Sequence, residues 1–145
     1  MDTLKAAVVA FFGAISAWLG VLSIPVYLLI LANICDYITG IGAAHFRGEG
    51  INSYTGLQGI AKKVCMWLLI AVGAVVDWLL SFCGESLGLS IHLPMMAASM
   101  VAVWLIINEI ISILENIGDI GVPLPKFILN ILNLMKNEIE EDTKE

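Results

Sequence analysis

Three runs of the sequence carry groups able to do chemistry, and all three sit in apolar surroundings. In 31–43, LANICDYITGIGA, an acid interrupts a hydrophobic stretch; Asn33, Asp36, Tyr37 and Gly40 are spaced i, i+3, i+4, i+7 and so share one stripe of a helix. Gly73, Asp77 and Ser81 recur every four residues in a second stretch. In a third, Asn108, Ser112, Glu115, Asn116 and Asp119 return at helical spacing with Glu109 beside them. An ionised carboxylate near the middle of a membrane helix costs about 2.5–3.5 kcal/mol on insertion scales, so such seams must face protein or water. Two uses follow. The seams hydrogen-bond to one another inside a compact bundle, or they line a path through the membrane once turned toward water. The residues in question are Asn33, Asp36, Asp77, Asn108, Glu109, Ser112 and Glu115.

No catalytic set accompanies them. A nucleophile, a base and an orienting acid do not occur together, and Gly40-x-Gly42 follows a helical pattern without the rest of a nucleotide fingerprint. Cys35, Cys65 and Cys83 are odd in number, form no C-x-x-C pair and read as small apolar core residues. His45 and His92 fall on opposite sides of the membrane in the topology argued below, too far apart to share a metal. The expectation is a protein with no enzyme activity, no cofactor and no nucleic-acid partner.

The elements that must hold these seams are set by composition. Of 145 residues, 59 % are hydrophobic and only 14 % charged, with a mean hydropathy of +0.93, too little polar surface to cover a water-soluble domain. The chain reads as an all-α integral membrane protein, because apolar stretches near the roughly 20 residues needed to cross about 30 Å of hydrocarbon recur without strand alternation. Four spans are expected at 6–24, 25–44, 64–82 and 93–113, making residues 1–123 one membrane domain. The first two are parted only by Ser23, Ile24 and Pro25, which favours a tight helical hairpin; three spans result if the first segment, broken by Gly13, Ser16 and Gly20, lies in the interface. Ser23-Ile24-Pro25 is a poor cleavage site, so the first segment reads as a retained anchor. Gly121-Val122-Pro123-Leu124-Pro125 should stop the last span, and 124–137 alternates polar and apolar faces as an amphipathic helix on the inner membrane surface. Residues 138–145 form an acidic run expected to be a solvated, frayed tail, and they carry much of the formal charge of −6.

Orientation follows from the basic residues. With four spans and both termini cytoplasmic, Lys5, Arg47, Lys62, Lys63, Lys126, Lys136 and Lys144 all fall on the inner side. Arg47, Lys62 and Lys63 then form a cytoplasmic basic anchor on a glycine-rich loop, setting topology or meeting anionic headgroups. Small residues four apart, Ala6, Ala10 and Ala14, Gly13 and Ala17, Gly40 and Ala44, Ala98 and Ala102, allow close helix contact and suit a homo-oligomer in the bilayer.

In that order Asp36-Tyr37-Ile38-Thr39-Gly40, the stretch 53–59 leading to Lys62-Lys63, Asp77, the run 108–116 (NEIISILEN) and Gly121-Val122-Pro123-Leu124-Pro125 resemble the toxin-secretion/phage-lysis holin family, phage holin family 4. The resemblance covers about 24–135. It implies a small phage or prophage protein of the bacterial cytoplasmic membrane that oligomerises and opens lesions at a set time. Such lesions release an endolysin or a secreted toxin without required direct binding and lyse the host. Two other classes fit the seams: a small proton- or cation-coupled transporter, which would give saturable flux without host death, and a non-conducting membrane adaptor acting through its tail.

Overall fold

The computed structural model describes residues 2–48, 53–89 and 94–142. Those residues form helices α1 (Asp2–Leu19), α2 (Ser23–Phe46), α3 (Ser53–Ser86), α4 (Met96–Asp119) and α5 (Lys126–Asp142), with a 3-10 turn at Gly20–Leu22 between the first two. Among the described residues there is no strand. His92 and the centre of the loop after α2 lie outside them.

The core is a bundle of α2, α3 and α4. Early α2 meets early α4 and late α2 meets late α4, whereas late α3 meets early α4, so α2 and α4 run parallel with α3 antiparallel to both. Buried and half-buried positions repeat in sevens: Leu22 of the 3-10 turn with Leu29, Asp36 and Ala43 on α2; Ala98 and Leu105, with Ala102 and Glu109, on α4; Met66 and Gly73, with Lys63, Ile70 and Asp77, on α3. A heptad seam keeps each helix facing its neighbours along its whole length. Leu22, Leu29, Met66, Ile70, Ala98, Ala102 and Leu105 fill the apolar half.

Most large hydrophobic side chains point outward, Trp18 at 82 % and Trp78 at 64 % exposure among them. So much continuous apolar surface is untenable in water and ordinary in lipid. Three helical stretches, Thr3–Phe46, Gly56–Ser86 and Met96–Asp119, are long and apolar enough to cross a membrane. The chain is membrane-embedded.

The first of these stretches is bent. Gly20 takes φ +54, a conformation that costs glycine little. The break therefore falls a few residues before the expected Ser23-Ile24-Pro25, and Pro25 sits in the first turn of α2, where its missing N–H is harmless. Tyr27 donates its hydroxyl proton to the Phe12 carbonyl at 3.2 Å and lies 2.8 Å from Ser16 Oγ. Fifteen residues of unbroken helix would put Phe12 and Tyr27 about 22 Å apart along the axis, beyond the reach of a tyrosine. α1 accordingly folds back toward α2.

Other boundaries move too. The third helix begins at Ser53, eleven residues before the expected span, and the latter part of the presumed glycine-rich loop is its opening three turns. α4 runs six residues past 113 to Asp119 and ends in a Schellman motif: Gly121 at φ +97, Val122 N–H to Ile117 O, and Gly121 N–H to Gly118 O. α5 continues to Asp142, into the run expected to fray; the last three residues lie outside the described part. Its Leu132 is buried, and Ile128, Ile131 and Leu132 line an apolar gap against Ile107, Ile110, Ile111 and Leu114 of α4. Cys65 and Cys83 are exposed rather than in the core, because they stand off the buried stripe of α3; Cys35 is half-buried.

Candidate functional site: a charged cluster midway along the bundle

Asp36 lies ten residues before the end of α2, Glu109 ten before the end of α4, and Lys63 ten after the start of α3. At about 1.5 Å per residue each is about 15 Å from the same end of the bundle. The three meet there. The Lys63 ammonium donates to Asn33 Oδ1 at 3.0 Å, Asp36 Oδ2 at 3.0 Å and Glu109 Oε2 at 2.5 Å. Asn116 Nδ2 donates to the other Asp36 oxygen and to Thr39 Oγ1, both at 3.2 Å. Thr39 in turn donates to the Cys35 carbonyl at 2.9 Å. Glu109 is only 5 % exposed. Ion pairs this deep persist because opposite charges and hydrogen bonds offset the loss of water.

Beside the cluster a groove of about 560 Å³ opens between α3 and α4, lined by Asp36, Lys63 and Glu109 together with Asn108, Ser112 and Glu115. Six of the seven seam residues named from the sequence thus lie around one place, Asn33 through Lys63 and the other five along the groove.

Asp77 does not join them. It is 2 % exposed and accepts the backbone N–H groups of Ala97 at 2.8 Å and Ala98 at 2.9 Å. Those are the second and third residues of α4, whose cap position, Met95, is left-handed at φ 51 and supplies no side-chain cap. Asp77 therefore caps α4 from a neighbouring helix, where its charge also suits the positive end of the helix dipole. Tyr37 likewise leaves the predicted stripe and is 56 % exposed.

The basic anchor divides as well. Lys63 turns inward onto the cluster, because it stands three residues before Met66 and seven before Ile70 on the buried stripe. Lys62 is exposed one position off that stripe and still lines the groove rim. Arg47 closes the α2 end and pairs with Asp119 at the α4 end, with side chains 40 % and 45 % exposed. Asn116, a member of the third seam, joins the cluster through Asp36 and Thr39, whereas Lys63 and Thr39 are the members that the polar-seam reading did not include.

The chain matches the Bacteriophage holin family over residues 13–137. An uncharacterised protein of Halalkalibacterium halodurans is 34 % identical over 134 residues, 92 % of this chain and 93 % of that one. An uncharacterised 14.9 kDa protein of Clostridium perfringens is 30 % identical over 127 residues, covering 87 % and 88 %. A probable holin of Bacillus phage phi105 is 25 % identical over 117 residues, covering 81 % and 78 %. No solved structure matches. With a family match that takes in the whole α2–α4 bundle and the charged cluster within it, the chain belongs to the bacteriophage holin family.

Proposed function

We propose that this protein is a holin of the bacterial cytoplasmic membrane, with both termini cytoplasmic and α1 as the first of four spans. Copies accumulate and associate through small-residue helix faces. In the resting bundle Asn33, Asp36, Thr39, Lys63, Glu109 and Asn116 hydrogen-bond to one another. In the assembled state Asn33, Asp36 and Glu109, with Asn108, Ser112 and Glu115 along the groove, turn toward a water-filled lesion. Through it an endolysin or toxin leaves without direct binding, and the host lyses. Arg47 serves as the inner-surface anchor and Lys62 reaches toward the same surface on its long side chain, while α5 starts at that surface and packs back along α4.

The observation that carries this reading is the Lys63–Asp36–Glu109 cluster about 15 Å into lipid-length helices. A merely structural bundle has no need of three charged groups there, since well-packed apolar residues hold as well or better. Family membership points the same way and to a non-enzymatic protein. The test is induced expression with simultaneous recording of membrane potential and leakage of a cytosolic protein. Abrupt depolarisation with leakage is expected; intact, energised cells at high accumulation overturn the proposal. Saturable flux of one solute without cell death would favour a transporter instead.

A further inference from the structure

α2 and α3 each pack along α4 and barely meet one another. What crosses between them at the level of the cluster is the Lys63 side chain. An ammonium has three protons to donate, and here each has an acceptor: Asn33 and Asp36 on α2, Glu109 on α4. The donor set is saturated by two helices other than its own, so one side chain ties α3 to both. Its removal would leave two carboxylates, each formerly within 3.0 Å of the same nitrogen, close together without a cation. Like charges at that spacing in a poorly hydrated place repel strongly, and water relieves them.

We propose that Lys63 is a clasp that holds the closed form. While its ammonium bridges α2, α3 and α4 the polar seam is sealed; its withdrawal parts α2 from α3 and hands Asp36 and Glu109 to water. The proposal rests on the holin reading and names the regulation of that same site. It also explains why Lys63 and Lys62, adjacent in sequence, have different surroundings: only the first is on the buried stripe.

The test uses the full chain in cells. Lys63→Met should insert normally and start leakage at about a third or less of the wild-type accumulated protein, the closed form having lost its cation. Exchanging the charges, Asp36→Lys with Lys63→Asp, should move the onset back toward wild type. Because Lys63→Met could fail to accumulate, a second arm locks the gap. In a chain with Cys35, Cys65 and Cys83 replaced by alanine, Asn33→Cys and Lys63→Cys are joined by a short reversible bis-thiosulfonate. Leakage should stay at background until reductant is added. Unchanged onset in an inserted Lys63→Met, or leakage from the locked chain, overturns the clasp while leaving the holin reading intact. Absence of leakage from the wild-type chain sinks the holin reading itself.

Discussion

The Asp77 carboxylate holds the first turn of a helix other than its own: its Oδ2 accepts the Ala98 N–H at 2.9 Å, and its Oδ1 the Ala97 N–H at 2.8 Å. An amide oxygen can accept at one side only, and alanine at neither. Asp77→Asn and Asp77→Ala should therefore lower stability in detergent by about 1–2 kcal/mol, the alanine more, as expected of a lost N-cap. Thermal unfolding followed by circular dichroism measures it. Because Asp77 stands apart from the Lys63 cluster, the onset of leakage, normalised to inserted protein, should change less than in cluster variants.

One turn earlier on α3, Gly73 sets how closely α3 approaches α4. A Cβ at that position would lie 2.8 Å from the Ala98 Cα, and the obstacle is backbone, which cannot swing aside. Gly73→Ala should push the helices apart, weaken the Asp77 cap above it and cost about 1–3 kcal/mol, as overpacking does. Gly56→Ala is the contrast, since nothing lies within 4 Å of a Cβ there. It should be neutral or stabilise α3 by about 0.5–1 kcal/mol in the same measurement.

The difference between Lys62 and Lys63 shows where the sequence was readable and where it was not. Membrane class, helices and the polar positions 33, 36, 108, 109, 112 and 115 follow from hydropathy and helical spacing alone. Lys63 was assigned by charge to the surface, yet 63, 66, 70, 73 and 77 step by three and four, the pattern of a buried stripe. Tracing that stripe back past the apolar run would have carried Lys63 inward and extended α3 through the presumed loop. The same pattern places Asp77 at a buried position but does not reveal its partner, because backbone N–H groups leave no mark in a sequence. Gly20 reads from the sequence as one of three breaks in the first segment, but Pro25, a stronger apparent breaker that the first turn of α2 accommodates, draws the expected turn a few residues too late.

The charge on the cluster should set when leakage begins. The cluster sets two carboxylates, Asp36 and Glu109, against the single Lys63 ammonium, a surplus of one acid that hydration in an open bundle relieves. Asp36→Asn or Glu109→Gln keeps the shape and removes the surplus. Each should delay leakage to about two-fold higher accumulated protein, opposite in sign to the effect expected of Lys63→Met. Membrane fractionation checks that insertion is unchanged, and release of a cytosolic enzyme against quantified protein gives the onset. Wild-type onset in both amide variants would remove the cluster from the opening step.

The path of α1 decides between four spans and three. α2 and α4 are parallel, so Arg47 and Asp119 share one end of the bundle, as their ion pair shows, while Gly20 and Glu85 stand at the other. If α1 crosses the bilayer after its reversal at Gly20, Lys5 returns to the Arg47 end; if α1 lies in the interface, Lys5 stays at the Gly20 end. Bringing all the basic residues to the cytoplasmic side requires the first. Single cysteines in a chain without the native three, at Lys5, Glu85 or Lys126, are to be probed in intact cells with a membrane-impermeant maleimide before leakage begins. Glu85→Cys should label at once, and Lys5→Cys and Lys126→Cys only after permeabilisation. Immediate labelling at Lys5→Cys alongside Glu85→Cys would lay α1 on the outer surface and reduce the protein to three spans.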